Sequence, residues 1–355
     1  MKYIRRLSPA VVAFMLFALL CAGAFIQAHK KSPALRAGSN NLSAQQAFWE
    51  GRITKVGGTA AYQEFAESVA TGTPQSQHAQ AHVFGSALYQ AEGLPGLATC
   101  DSRFSFGCYH EFLGRAISSL GLAVVAQLND ACFQVLSSSP LSCQHGIGHG
   151  IIADLGYDAS SLDKALAVCK DLPHSDPIGG CYGGVFMEYN LQTMLGEEGR
   201  IRPATADLLA PCDRESAVYQ PACYFWQPQW WRQNLRTQGV VDNKIAYSQI
   251  GALCAQAPAN MQRSCFEGIG NNIPADAEFD ANTARTLCIA ATRDPQHQLW
   301  CRSLVADSLF VGGAGKKGDA LAVCKGLSAE AYRYCASYAK NEANLAAPAE
   351  TPSFP

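Results

Sequence analysis

Charge of neither sign is in excess in this sequence: 27 Lys and Arg face 29 Asp and Glu, for a net charge of −2. That balance recruits neither nucleic acid nor an anionic membrane surface. Several motifs are missing as well. No Cys-x-x-Cys-His occurs, which excludes a c-type haem. No Gly-x-Ser-x-Gly elbow occurs, so an ordinary serine hydrolase has no support. Gly146-Ile147-Gly148-His149-Gly150 lacks the Gly-x-Gly-x-x-Gly spacing and follows no predicted strand, so no nucleotide site is read there. His110-Glu111-Phe112-Leu113-Gly114 matches half of a zincin motif, but no histidine follows four residues after His110.

What is present begins at the N-terminus. Lys2, Arg5 and Arg6 precede an apolar run from Ala10 to Ile26, closed by the small residues Ala22-Gly23-Ala24 and Ala28. This layout is that of a secretory signal. An uncleaved signal anchor is the first alternative, because the run is at the short end for a membrane span. A lipoprotein acylated on Cys21 is the second, although Leu20 is bulky where a lipobox wants a small residue. All three place the body outside the cytoplasm, as a periplasmic, membrane-anchored or secreted protein.

The cysteines agree. There are 15, and removing Cys21 leaves an even number. An exported chain can oxidise them, and an even count disfavours a free nucleophilic thiol. They fall in a series: Cys100/Cys108, Cys132/Cys143, Cys169/Cys181, Cys212/Cys223, Cys254/Cys265, Cys288/Cys301 and Cys324/Cys335. The second members recur every 34 to 42 residues, a period that marks a solenoid of two-helix units. Local sequence repeats too: Cys143-Gln144-His145-Gly146-Ile147-Gly148 returns as Cys265-Phe266-Glu267-Gly268-Ile269-Gly270. Leu162, Ala165, Leu166, Cys169 and Leu172 share one helical face. Loops rich in Pro, Ser, Asp and Gly follow the first cysteines. The predicted fold is therefore all-α, an α-solenoid of about seven helix-loop-helix repeats. Each repeat is stapled by a disulfide between adjacent cysteines, since that pairing is the one that repeats. The glycines Gly146, Gly148 and Gly150 predict a neighbouring backbone against their helix.

Boundaries follow composition: residues 1–28 a signal peptide or anchor, 29–43 a flexible linker, 44–95 a cysteine-free helical cap, 96–340 the stapled repeats, and 341–355 a disordered tail. Cys100-x7-Cys108, with Gly107 before the second cysteine and Gly114 after it, resembles the cysteine-rich Sel1-like repeats of secreted bacterial proteins. That resemblance covers the first unit and implies tetratricopeptide-like helix pairs. Such arrays usually bind proteins, peptides or glycans.

Five of the eight histidines lie early in the array: His78, His82, His110, His145 and His149. His78/His82 and His145/His149 are i,i+4 pairs, which put two imidazoles on one helical face. His110 and His145 each stand two residues after a second cysteine, so the register predicts that they are near neighbours. Glu111, Glu188 and Glu267 are candidate carboxylates, with Glu111 or Glu188 as ligand or catalytic base. Such a set suits Zn, Cu or Fe. The aromatic segment Tyr224 to Trp231 is read as core rather than as a ligand platform, with Pro228 breaking its helix. His174 and His297 are read as solvated loop residues. Two functions stand: a metal-binding exported protein that extends to a metal-dependent enzyme, and a metal-free scaffold presenting its concave face to a protein, peptide or glycan. In neither does the chain touch a membrane except through an uncleaved anchor.

Overall fold

Helix caps written in the sequence set where several elements begin. The side chains of Thr73, Asp158, Asp242, Asp280 and Ser328 each accept a backbone N–H two or three residues on, which is worth about 1 kcal/mol per cap. In the computed structural model the structure describes residues 41–339, apart from 136–139, 174–175, 177, 197–198 and 313–316. The signal segment, most of the 29–43 linker, the 341–355 tail and His174 therefore lie outside the described residues.

Among the described residues the chain is all-helical, with no strand. The helices are α1 (Leu42–Val56), α2 (Gly58–Val69), α3 (Pro74–Glu92), α4 (Gly107–Leu120), α5 (Val125–Val135), α6 (Pro140–Leu155), α7 (Ala159–Lys170) and α8 (Cys181–Leu191). They continue as α9 (Gln220–Thr237), α10 (Asn243–Cys254), α11 (Ala259–Asp276), α12 (Ala281–Ala291), α13 (Pro295–Gly312), α14 (Lys317–Val323) and α15 (Ala329–Tyr338). From Trp49 onward they belong to one compact unit. No described helix is long and apolar enough to cross a membrane.

All seven adjacent-pair disulfides are formed, with Cα–Cα separations of 5.4 to 5.8 Å. That spacing is in the unstrained range. Bridges of this number persist in an oxidising compartment, which places the protein outside the cytoplasm. Cys132, Cys169, Cys254 and Cys288 lie in the last turns of α5, α7, α10 and α12, and Cys324 directly follows α14. Two units depart from the expected pattern. Cys100 follows a short 3-10 turn, Leu94–Thr99, and Cys212 lies in turns within the irregular 192–219 segment. Arg202 organises the latter: its guanidinium donates to Gln227 Oε1 at 2.9 Å and to the Ala210 carbonyl at 2.5 Å, and stacks 3.7 Å from the Trp230 ring. Arginine clamps this segment where five of the other units use a helix.

The helices that follow each first cysteine, preceded by α3, form a continuous row, in which α3 packs on α4, α4 on α6, α6 on α8, α8 on α9, α9 on α11, α11 on α13 and α13 on α15. Glycine makes that row close. A Cβ on Gly148 would stand 2.1 Å from the Cys181 carbonyl oxygen, and one on Gly184 would stand 1.9 Å from the His145 carbonyl. The same register recurs where Gly270 meets the Cys301 carbonyl and Gly268 the Phe225 carbonyl. So Gly148→Ala will lower unfolding stability by about 1–3 kcal/mol, because α6 and α8 must separate. Gly51→Ala, with nothing within 4 Å of the added carbon, will not. Equal thermal melts for the two variants would contradict this packing account.

Two sequence expectations are corrected. Pro228 does not break its helix: α9 runs through it from Gln220 to Thr237. Tyr224, Phe225, Trp226, Trp230 and Trp231 are buried in the core, as the core reading expects. Burying a large side chain gains about 1.5–3 kcal/mol, so these five outweigh the roughly 3 kcal/mol that a helix-interior proline costs. His297 is not a solvated loop residue either. It belongs to α13 and stacks on Phe266, with ring centroids 4.1 Å apart.

Candidate metal centre

Because successive helices approach at backbone contact, residues at equivalent register converge. His110 on α4 and His145 on α6 have ring centroids 5.7 Å apart, as the register predicts. His149, one turn beyond His145, stacks on His110 at 4.8 Å. On the other side α3 brings His78 and His82 to 5.5 and 5.6 Å from His110. All five predicted histidines meet in one cluster. His82, His110, His145 and His149 are buried, and His78 is the outermost.

The ring nitrogens form two overlapping triads. His78, His82 and His110 each offer a nitrogen within 4.8 Å of the others, and so do His110, His145 and His149. Nε2 of His78 lies 3.2 Å from Nε2 of His82. Two nitrogens on one tetrahedral zinc stand about 3.3 Å apart, given bonds of roughly 2.0–2.1 Å. His78 Nδ1 bonds the Phe104 carbonyl at 2.8 Å, which fixes its ring with Nε2 toward the cluster. Nδ1 of His110 and Nε2 of His149 are buried without a hydrogen-bond partner. A buried polar atom left unpaired costs about 1–3 kcal/mol. Unpaired ring nitrogens of this kind could each ligate an ion.

The carboxylates stand behind the imidazoles. Glu188 on α8 lies 3.0 Å from His149 Nδ1 through Oε2. It also accepts from Tyr157 Oη at 2.7 Å, Thr193 Oγ1 at 2.6 Å and N at 2.8 Å, and Met194 N at 3.2 Å. Burial pushes its carboxyl up, but the His149 hydrogen bond and charge and the Thr193 and Tyr157 hydroxyls outweigh that, holding it at about 2. Glu111 on α4 has Oε2 3.5 Å from His82 Nδ1 and accepts from Leu195 N at 3.0 Å, while Oε1 pairs with Arg115 Nε at 2.9 Å. A carboxylate behind a histidine fixes its tautomer and aims the opposite nitrogen at a metal. Glu267 is elsewhere: it pairs with Arg263 at 2.9 Å, and Tyr338 Oη lies 3.5 Å away. Burial pushes the Glu267 carboxyl up.

Sequence reasoning missed Tyr157 and Thr193, which reach Glu188 from outside the helices, and Arg115, although its i,i+4 spacing from Glu111 was a readable signal. It also missed Met187, whose Sδ lies 3.5 Å from His145 Nε2. A signal for Met187 was present: it follows Cys181 by six residues, as His149 follows Cys143. Trp226 closes the far side, 5.4 Å from the His145 ring.

Three of the imidazoles are held neutral. Burial, followed by neighbouring histidines, pushes His110 and His145 well below the usual value of 6.5 and His78 down to about 3. Below pH 6.5 the unfolded chain therefore binds protons that the folded chain refuses, so stability falls with falling pH. Each such histidine costs about 1.4 kcal/mol per pH unit through that window. Glu188 opposes nothing there, since its contribution is lost only below about its unfolded value of 4.5. Chelator-treated protein will lose urea resistance between pH 7 and pH 5; a flat midpoint would contradict the neutrality of these three. Compared with known proteins, no family model matches the chain, and no curated protein or solved structure does either.

Proposed function

We propose that this is an exported α-solenoid that holds a transition metal in its five-histidine cluster. The carrying observation is the convergence of His78, His82, His110, His145 and His149 from three successive helices of the row, with the His110 Nδ1 and His149 Nε2 atoms buried and unpaired. Imidazole nitrogens suit Zn, Cu or Fe. The row of packed helices with its recurring glycine contacts supports the solenoid reading, and the Sel1-like spacing of Cys100–Cys108 accords with it. The disulfides and the basic-then-apolar N-terminus support export.

Glu111 and Glu188 act first as positioning carboxylates for His82 and His149. Glu188 receives five donor contacts and has no lone pair left for a substrate proton. A metal-dependent reaction would fall to Glu111, which lines a surface cleft with Arg115 and Arg200. Metal analysis of protein purified oxidised, without added metal, tests the reading. It expects at least one Zn, Cu or Fe per chain. Metal-free protein whose melting is unchanged by all three ions would support the metal-free scaffold instead.

A further inference from the structure

We propose that the inner triad is a copper site in which His110, His145 and His149 supply three nitrogens and Met187 Sδ the fourth ligand to Cu(I). This rests on the metal reading above and narrows it to one ion. The thioether is the first reason. Met187 Sδ is 3.5 Å from His145 Nε2. A nitrogen and a sulfur sharing one tetrahedral ion stand about 3.5–3.6 Å apart, given bonds of roughly 2.0–2.1 and 2.3 Å. Register is the second reason: Met187 and His149 are each six residues past a second cysteine, so adjacent helices α6 and α8 bring them to the same level.

The remaining ring atoms leave those nitrogens available. His149 Nδ1 is taken by Glu188, so Nε2, which has no partner, points inward. The His145 ring also bonds the Gly180 backbone, and His110 Nδ1 has no partner. Charge is the third reason. Bound through their lone pairs, three imidazoles and a thioether are uncharged ligands, and Glu188 is the carboxylate that pairs with a ligand of this triad. A monovalent ion beside Glu188 leaves the buried site neutral, whereas a divalent ion leaves a net positive charge that is costly to bury. Soft thioether ligands select Cu(I) by the same logic. Among the described residues, the hydrogen bonds of the outer triad, His78, His82 and His110, involve no sulfur.

Competition against a chromophoric Cu(I) chelator tests this, under anaerobic conditions with preformed acetonitrile-Cu(I), so that no reductant attacks the disulfides. Met187→Leu conserves volume and is expected to weaken Cu(I) binding at least tenfold while leaving Zn(II) affinity unchanged. Met261→Leu, a buried methionine on α11, is expected to change neither. X-ray absorption of the Cu(I)-loaded wild type is expected to show one sulfur neighbour that disappears in Met187→Leu. Unchanged Cu(I) affinity in Met187→Leu, or a copper shell without sulfur, would overturn the assignment while leaving the metal reading standing. Protein that binds neither Zn(II) nor Cu(I) would overturn both.

Discussion

His110→Ala is expected to abolish metal binding in both halves of the cluster, because His110 is the imidazole that the two candidate triads share. Removing His78 alone strips only the outer triad. Loss of a carboxylate behind a ligand, such as Glu188, weakens binding by about 10- to 100-fold, and loss of a shared ligand must exceed that. The effect on the metal-free protein runs the other way. His110 Nδ1 is already buried and unpaired, so truncation removes an unfavourable group and offsets the small cavity it leaves. The apo melting temperature is therefore expected to stay near wild type. Saturating metal separates the two proteins: at 100 times the dissociation constant, a bound ion stabilises wild type by about 2.7 kcal/mol, and His110→Ala gains nothing. Differential melting with and without metal reads this directly. Equal metal-induced shifts would remove His110 from the centre.

Reduction unfolds the chain. Each bridge closes a loop with a sequence separation of 8 to 13 residues, worth about 3 kcal/mol in the chain-entropy account. Seven such bridges sum to roughly 20 kcal/mol, more than the usual 5–15 kcal/mol of a folded domain. Full reduction in mild denaturant is therefore expected to abolish the cooperative melt seen in the oxidised protein. A single double variant, Cys169→Ser with Cys181→Ser, loses about 3 kcal/mol and stays folded. If fully reduced protein kept the oxidised melting temperature, the helix contacts alone would suffice and the staples would be incidental.

Register explains what was legible. Cysteine, glycine and histidine recur at fixed offsets in a repeat, and helices at backbone contact turn equal offsets into spatial neighbours. That logic found His110 beside His145 and the glycine approach between α6 and α8. It extends to Met187, which shares the offset of His149 but is a residue type that draws no attention in a list of histidines. The partners that hold Glu188 were not legible. Thr193 and Met194 belong to the irregular 192–219 segment, which has no periodicity to project, and Arg202 fixes that segment through contacts remote in sequence. Pro228 and His297 misled for a related reason. Local propensity favours a break at proline and a wet loop at histidine, while burial among Phe266, Trp226 and Trp230 decides otherwise.

Anomalous diffraction from a metal-loaded crystal tests the central claim most directly. The account predicts a peak bounded by His110, His145 Nε2 and His149 Nε2, with any second peak among His78, His82 and His110. A metal found only at surface carboxylates, with the five imidazoles unchanged around no peak, would contradict it.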